Sequence, residues 1–218
     1  MSVIVSDRRT LIVGLGKTGL SCVRYLSEQG RLVTVADSRA NPPGLNELKE
    51  GWPEVAVHLG AFDPSLFAEF SELVVSPGIS IADPAIDAAA KNGALIRGDI
   101  DLFAEAADAP VVAITGSNGK TTVTTLLGEM AKAAGRKVQV GGNIGTPALD
   151  LLEKGADLYI LEVSSFQLET TDTLNAVAAT VLNVSDDHMD RYPDKMAYFQ
   201  AKQRVYRGCK HAIVNLDD

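Results

Sequence analysis

The segment Val111-Val-Ala-Ile-Thr-Gly-Ser-Asn-Gly-Lys-Thr-Thr122 restricts the fold of this chain more than any other. β-Favouring apolar residues lead into a turn bracketed by Gly116 and Gly119, and Lys120-Thr-Thr122 opens a run of helical periodicity. Strand, tight loop and helix start is the order in which a protein holds a nucleotide phosphate. Loop N–H groups and the helix dipole face the anion, Lys120 adds a point charge, and the Thr121 hydroxyl can reach a Mg²⁺. The candidate phosphate-binding residues are therefore Gly116, Ser117, Asn118, Gly119, Lys120, Thr121 and Thr122. The common loop requires a glycine at position 114, where Ile114 stands, so this one is a shortened Thr-Gly-x-x-Gly-Lys-Thr.

A second phosphate-type turn lies near the start. The short apolar strand Thr10–Val13 runs into Gly14-Leu-Gly16-Lys-Thr-Gly19, a helical face follows until Gly30, and the strand Leu32–Ala36 ends on Asp37. This is a G-x-G-x-x-G fingerprint with an acidic residue about 20 positions on, in the strand–turn–helix–strand context it needs. The glycines specify close approach of backbone to a phosphate-bearing ligand, and Asp37 a partner for hydroxyls or base edges. NAD is one such ligand among several.

Further strands are expected at Val55–Leu59, Leu73–Ser76 and Leu95–Ile96, with helices at Pro64–Phe70 and Pro84–Asn92 between them. Alternating strands and helices argue a parallel α/β sheet, whose ligands lie outside the carboxyl ends of the strands. That places Gly14–Gly19, Asp37–Arg39 and Ser76–Gly78 on one rim. Ile100–Ala107 reads as a helix closing a first domain (residues 1–107), and Asp108-Ala-Pro110 as the break before a second (108–218). The second continues with a helix from Thr122 to Ala134, strands at Val138–Val140, Leu158–Glu162, Ala178–Asn183 and Ala212–Asn215, and a helix over Lys195–Tyr206. Glu162 ends its strand beside the phosphate loop, where an oxygen ligand for Mg²⁺ is expected. His188 follows another strand end, flanked by Asp187 and Asp190. Lys202 has the spacing of a solvated helix residue.

Composition narrows the partners. A net charge of −8 with no basic stripe argues against nucleic acid. No apolar run reaches the roughly 18 residues of a membrane span, and residues 1–9 lack a secretory pattern, so a cytoplasmic protein without membrane partners is expected. Cys22 and Cys209 read as small buried residues rather than a disulfide.

Four ordered segments resemble the Mur ligases: Thr115-Gly-Ser-Asn-Gly-Lys-Thr-Thr122, Gly141-Gly-Asn-Ile-Gly145, Leu161-Glu-Val-Ser-Ser-Phe-Gln-Leu-Glu169 and Asp187-His-Met-Asp-Arg-Tyr192. The shortened loop is shared with folylpolyglutamate synthetases. The Ser-Ser-Phe-Gln-Leu-Glu and Asp-His-Met-Asp-Arg-Tyr runs, with Gly14-Leu-Gly-Lys-Thr-Gly-Leu-Ser21, point to the D-glutamate-adding branch. The resemblance implies a Rossmann-like domain that holds UDP rather than NAD, followed by a P-loop-type α/β ATP-binding domain. It implies an ATP-dependent ligase of peptidoglycan synthesis that joins D-glutamate to UDP-N-acetylmuramoyl-L-alanine through an acyl phosphate, acting as a monomer. By motif match, Lys17, Thr18, Asp37, Ser38, Arg39 and Gly78 take the uridine and its phosphates. Asn143, Ser164 and His188 meet the muramoyl part or the metals. Lys120 clamps the ATP phosphates, Thr121 and Glu162 share one Mg²⁺, and His188 serves a second. Lys202 matches a carbamylated lysine that acts as an anionic metal ligand. An ordinary lysine is neutral only about 0.1% of the time near pH 7.4, so such a site must depress its pKa or trap the product.

The family pattern continues past these residues into more of the ATP-binding domain and a third domain that supplies most of the D-glutamate site. The expectation is thus an N-terminal part that binds the UDP substrate without turnover. A stand-alone UDP-sugar binding module is the alternative of different class, and an NAD dehydrogenase rests on Gly14–Gly19 alone.

Overall fold

The computed structural model describes residues 9–152 and 156–216; the expectation for residues 1–9 falls, except for Arg9, outside them. Two compact units divide between Asp99 and Ile100. In the first, β1 (Thr10–Val13), α1 (Lys17–Glu28), β2 (Val33–Asp37), α2 (Leu45–Gly51), β3 (Ala56–Leu59), α3 (Pro64–Phe67), β4 (Glu72–Val75), α4 (Pro84–Lys91) and β5 (Leu95–Arg97) follow in order. The strands form one parallel sheet in the order β3-β2-β1-β4-β5. Short apolar runs buried on both faces are what such a sheet requires. Leu11, Val13, Leu73 and Val75 face Phe67 of α3 and Ile86 of α4 in one cluster. The alternate residues Ile12 and Val74 are equally buried, and α1 lies against β1 and β2.

The chain runs outward from β1 to β3, then restarts at β4 on the other side of β1. The reversal opens a crevice beyond the carboxyl ends of β1 and β4, the position at which open α/β sheets bind ligands. All three expected rim segments, Gly14–Gly19, Asp37–Arg39 and Ser76–Gly78, follow carboxyl ends of strands in this sheet.

The second unit also sets its first strand at the centre of a parallel sheet, but its second strand takes the edge and its third lies next to the first. It contains α5 (Asp99–Ala106, whose first residue falls before the division), β6 (Val111–Thr115), α6 (Lys120–Ala133), β7 (Val138–Gly142), a 3₁₀ turn, β8 (Leu158–Glu162), α7 (Ser165–Glu169), β9 (Ala178–Val181), α8 (Lys195–Gln203), a second 3₁₀ turn and β10 (His211–Val214). Its sheet is parallel in the order β10-β9-β6-β8-β7, so β6 is central and is flanked by β8 and β9. Helix α5, which the sequence assigned to the end of the first domain, makes its contacts in this unit. The Phe103 ring meets Tyr159 edge-on at 5.1 Å, and Asp101 accepts hydrogen bonds from the Asp172 and Thr173 N–H groups and the Thr173 hydroxyl.

The element types follow the periodicity closely. The helices α2 and α7 were not expected as helices, and Lys195–Tyr206 divides into α8 and a 3₁₀ turn. Cys22 is buried, Cys209 is partly buried, and no disulfide joins them. No helix among the described residues is long and apolar enough to cross a membrane.

Candidate functional site

In the first unit the glycine turn is set by contact. A Cβ on Gly19 would lie 2.0 Å from the Gly14 carbonyl oxygen, so α1 can start this close to β1 only with glycine there. Lys17 and Thr18 form the first turn of α1, and the Ser76 hydroxyl donates to the Gly14 carbonyl at 3.1 Å across the crevice. Asp37 takes an unexpected part. Its buried carboxylate accepts from Leu15 N–H at 2.7 Å and from Arg39 through N–H, Nε and Nη2 at 2.9, 2.8 and 2.6 Å. Burial raises its pKa, but the Arg39 side chain and the two backbone donors outweigh burial and hold it below its ordinary value. Both carboxylate oxygens are engaged within the protein, unlike an acid presented to a ribose. Arg39, half-exposed, is the group turned outward; Ser38 is exposed and Gly78 follows β4.

In the second unit the candidate phosphate loop bridges β6 and α6. Gly119 stands at the helix cap with φ +79°, a conformation glycine adopts without strain. Lys120 Nζ donates to the carbonyls of Gly116 (2.8 Å) and Ser117 (2.9 Å). The Thr121 hydroxyl donates to Glu162 Oε2 at 2.8 Å, and Asn143 Nδ2 donates to Glu162 Oε1 at 2.8 Å. Thus β8 delivers its terminal carboxylate to the residue after Lys120, and the glycine segment that ends β7 brings Asn143 to the same carboxylate. Ser164 caps α7 through a reciprocal box with Gln167.

Lys202 is not a solvated residue. It is 1% exposed, its Nζ donates to the Gly116 carbonyl at 2.8 Å, and it lies 4.4 Å from the centre of the Tyr198 ring. Burial, reinforced by the charge of Lys120 and opposed by Asp187, lowers its pKa to about 8. The same Tyr198 ring is 6.0 Å from His188, whose own ring lies 4.7 Å from Phe166. His188 has φ +57° and accepts the N–H groups of Arg191 and Tyr192 at its carbonyl, so the Asp-His-Met-Asp-Arg-Tyr run is a tight turn around an aromatic cluster. Among the described residues no three His, Cys, Asp or Glu side chains group as a metal site. A hard cation is nevertheless suited by the adjacent Thr121 hydroxyl and Glu162 carboxylate. Glu162 is 1% exposed, and its side-chain partners recorded here, Thr121 and Asn143, are neutral.

Sequence reasoning missed Asn183, Ser185 and Tyr198, which surround the loop from the other side; local pattern carries no signal for contacts made 65 to 81 residues away.

Two parallel sheets, each with a glycine loop after its central strand, define an α/β protein of two Rossmann-like units. The chain belongs to the Mur ligase family: residues 8–98 match the N-terminal domain of MurD-like Mur ligases and residues 114–218 the Mur ligase middle domain. It is 83% identical over all 218 residues to the UDP-N-acetylmuramoylalanine--D-glutamate ligase of Marinobacter nauticus, and 56% identical over the same length to that of Pseudomonas syringae pv. tomato. In both cases it spans 49% of the relative's length. A solved UDP-N-acetylmuramate:L-alanyl-gamma-D-glutamyl-meso-diaminopimelate ligase from Neisseria meningitides shares the fold, with a TM-score of 0.61 at 18% identity over 97% of this chain and 72% of that one.

Proposed function

We propose that these residues form the nucleotide-binding part of an ATP-dependent ligase that adds D-glutamate to UDP-N-acetylmuramoyl-L-alanine. The observation that carries this reading is the hydrogen bond between Thr121, next to the phosphate lysine, and the buried strand-end carboxylate Glu162. The two relatives named above are D-glutamate ligases by name, which supports this substrate over others of the family.

In this reading the first unit binds the uridine nucleotide through the α1 turn, Arg39, Ser38 and Gly78, with Asp37 holding Arg39 in place. Lys17 and Thr18 face its phosphates. Asn143 and Ser164, at the ends of β7 and β8, meet the acyl-bearing end of the substrate. Gly116–Thr122 holds ATP. Thr121 and Glu162 would hold one Mg²⁺ and His188 would serve a second, and these ions would supply neutralisation of phosphate charge. A carboxylate resists attack by an amine, so the L-alanine carboxylate first takes the γ-phosphoryl of ATP while Lys120 offsets the developing charge. The D-glutamate amine then attacks the acyl phosphate and phosphate leaves.

Lys202 fits the carbamate role. At a pKa of about 8 roughly a fifth of the amine is neutral at pH 7.4, far above an ordinary lysine. The neutral amine adds CO₂ and releases one proton, leaving an anion beside the phosphate loop.

These 218 residues span 49% of those relatives' length, and for this stretch assayed by itself the expectation is binding without turnover. Phosphate release from ATP with UDP-N-acetylmuramoyl-L-alanine and D-glutamate checks this. Sustained release would refute the no-turnover expectation, and the absence of UDP-dependent quenching of Trp52 fluorescence together with quenching by NADH would refute the substrate class.

A further inference from the structure

Asn183 lies two residues beyond β9, and its side chain makes both hydrogen bonds that an amide can make to one peptide neighbour. Its Oδ1 accepts the Asn118 N–H at 2.8 Å, and its Nδ2 donates to the Asn118 carbonyl at 3.0 Å. Its own carbonyl accepts the Ser117 N–H at 2.9 Å. The backbone fixes the orientation of the amide, since an N–H must meet oxygen and a carbonyl must meet the NH₂ group. Ser185 completes the brace: its N–H donates to Ser117 Oγ at 3.0 Å, and its hydroxyl accepts from Asn118 Nδ2 at 3.1 Å.

A shortened loop cannot turn every N–H toward an anion. Those that point away take another acceptor: the Ser117 N–H is buried, where a donor without a partner is costly, and the exposed Asn118 N–H is held by the Asn183 side chain. The helix start differs. The first bond of α6 is Val123 N–H to the Gly119 carbonyl, so the N–H groups before it have no intrahelical partner.

We infer that Asn183 is the positioning residue of the phosphate loop, dividing its N–H groups into two sets. Ser117 and Asn118 are committed to the brace, and residues 119–122 are left for the phosphates. The inference rests on the phosphate-loop reading above. Among side chains of this size, asparagine supplies an acceptor and a donor on two separate atoms, as the N–H and carbonyl of Asn118 require; aspartate keeps the acceptor, and alanine keeps neither.

The test uses the ¹⁵N-labelled 218-residue protein with Mg·ATP and Mg·tripolyphosphate as probes. In the unsubstituted protein, the Ser117 and Asn118 amides exchange slowly with and without Mg·ATP, while the amide signals of residues 119–122 shift on binding. Asn183→Ala speeds exchange at Asn118 and weakens both probes, each by about tenfold, the effect of losing one hydrogen-bonded brace. Asn183→Asp leaves the Asn118 amide slow, and exchange at Ile114 is unchanged in both variants. A folded Asn183→Ala protein with unaltered probe affinity, or with a slow Asn118 amide, overturns the inference. So do probe-induced shifts confined to residues 117 and 118. If Asn183→Ala does not fold, rapid Asn118 exchange in the unsubstituted or Asn183→Asp protein overturns it, and slow exchange in both upholds it. Failure of the unsubstituted protein to bind either probe refutes the phosphate-loop reading, and the Asn118 exchange pattern then decides the brace separately.

Discussion

Glu162 illustrates how one side chain combines two demands. As a hydrogen-bond acceptor it ties Thr121 of the loop to Asn143 after β7, and as an almost fully buried anion it calls for a cation. Glu162→Gln separates these. A glutamine can still accept from Asn143 and can donate to the Thr121 oxygen, so the fold should hold to within about 1 kcal/mol. The charge is gone, and Mg²⁺-dependent ATP binding should weaken by about 10–100-fold. Calorimetric titration of ATP with and without Mg²⁺ measures it; the same Mg²⁺ enhancement in the variant would remove Glu162 from the metal site. Lys202 makes the opposite point about reading residues from sequence. Helical spacing gave it no reason to be buried, and it is hidden because its partner, the Gly116 carbonyl, lies 86 positions away. Asp37 was visible as a strand-end acid, but its saturation by Leu15 and Arg39 depends on backbone geometry that no motif spells out.

At the scale of elements, the strands and the helices α1, α4 and α6 were legible because apolar spacing and Gly or Pro punctuation mark them. Helix α2 was missed because Leu45 and Leu48 are its two buried positions, too few to display a period. Strand order was not legible either, since sequence order does not say that β4 pairs with β1. That pairing places Glu72 at the amino end of the first sheet, opposite the rim formed by the carboxyl ends of the strands. Its buried carboxylate meets Thr10 at 2.9 Å, Arg97 at 3.4 Å and the Arg31 guanidinium. Burial alone would raise its pKa; the bonds from Arg31 and Thr10, with the charges of Arg31 and Arg97, lower it below the ordinary 4.5. A carboxylate depressed in the folded state contributes stability that is complete above its unfolded value and is lost as pH falls through the folded one. Glu72→Gln should therefore cost about 3 kcal/mol near neutral pH, by removing the buried carboxylate that the Arg31 and Arg97 guanidiniums meet, and should flatten the acid limb of the stability curve. Urea unfolding of both proteins between neutral pH and the acid limb checks this, and parallel curves would exclude Glu72 as a source of the pH dependence.

The whole chain uses one plan twice without repeating its sequence. In each unit the first strand of the sheet becomes central, and a glycine turn follows it at the point where strand order reverses. The chemistry differs in what the neighbouring strands bring. Beside β1 the strand ends offer Arg39, held by Asp37, and Ser76; beside β6 they offer Glu162 and Asn183. A cationic rim without a strand-end carboxylate turned outward suits a nucleotide bound for recognition. A lysine loop with a buried carboxylate suits a nucleotide bound with its metal for phosphoryl transfer. Each nucleotide should then protect its own sheet. Ligand at 100 times its dissociation constant stabilises the state it binds by about 2.7 kcal/mol, which slows exchange about 100-fold for amides released by unfolding of that state. Hydrogen-exchange mass spectrometry with saturating UDP should show this slowing in peptides from β1, β2 and β4, and with saturating Mg·ATP in peptides from β6, β8 and β9. Protection of β6 and β8 by UDP with none in β1 would reverse the assignment, and the carboxylate-bearing loop would then have to be read as the recognition site.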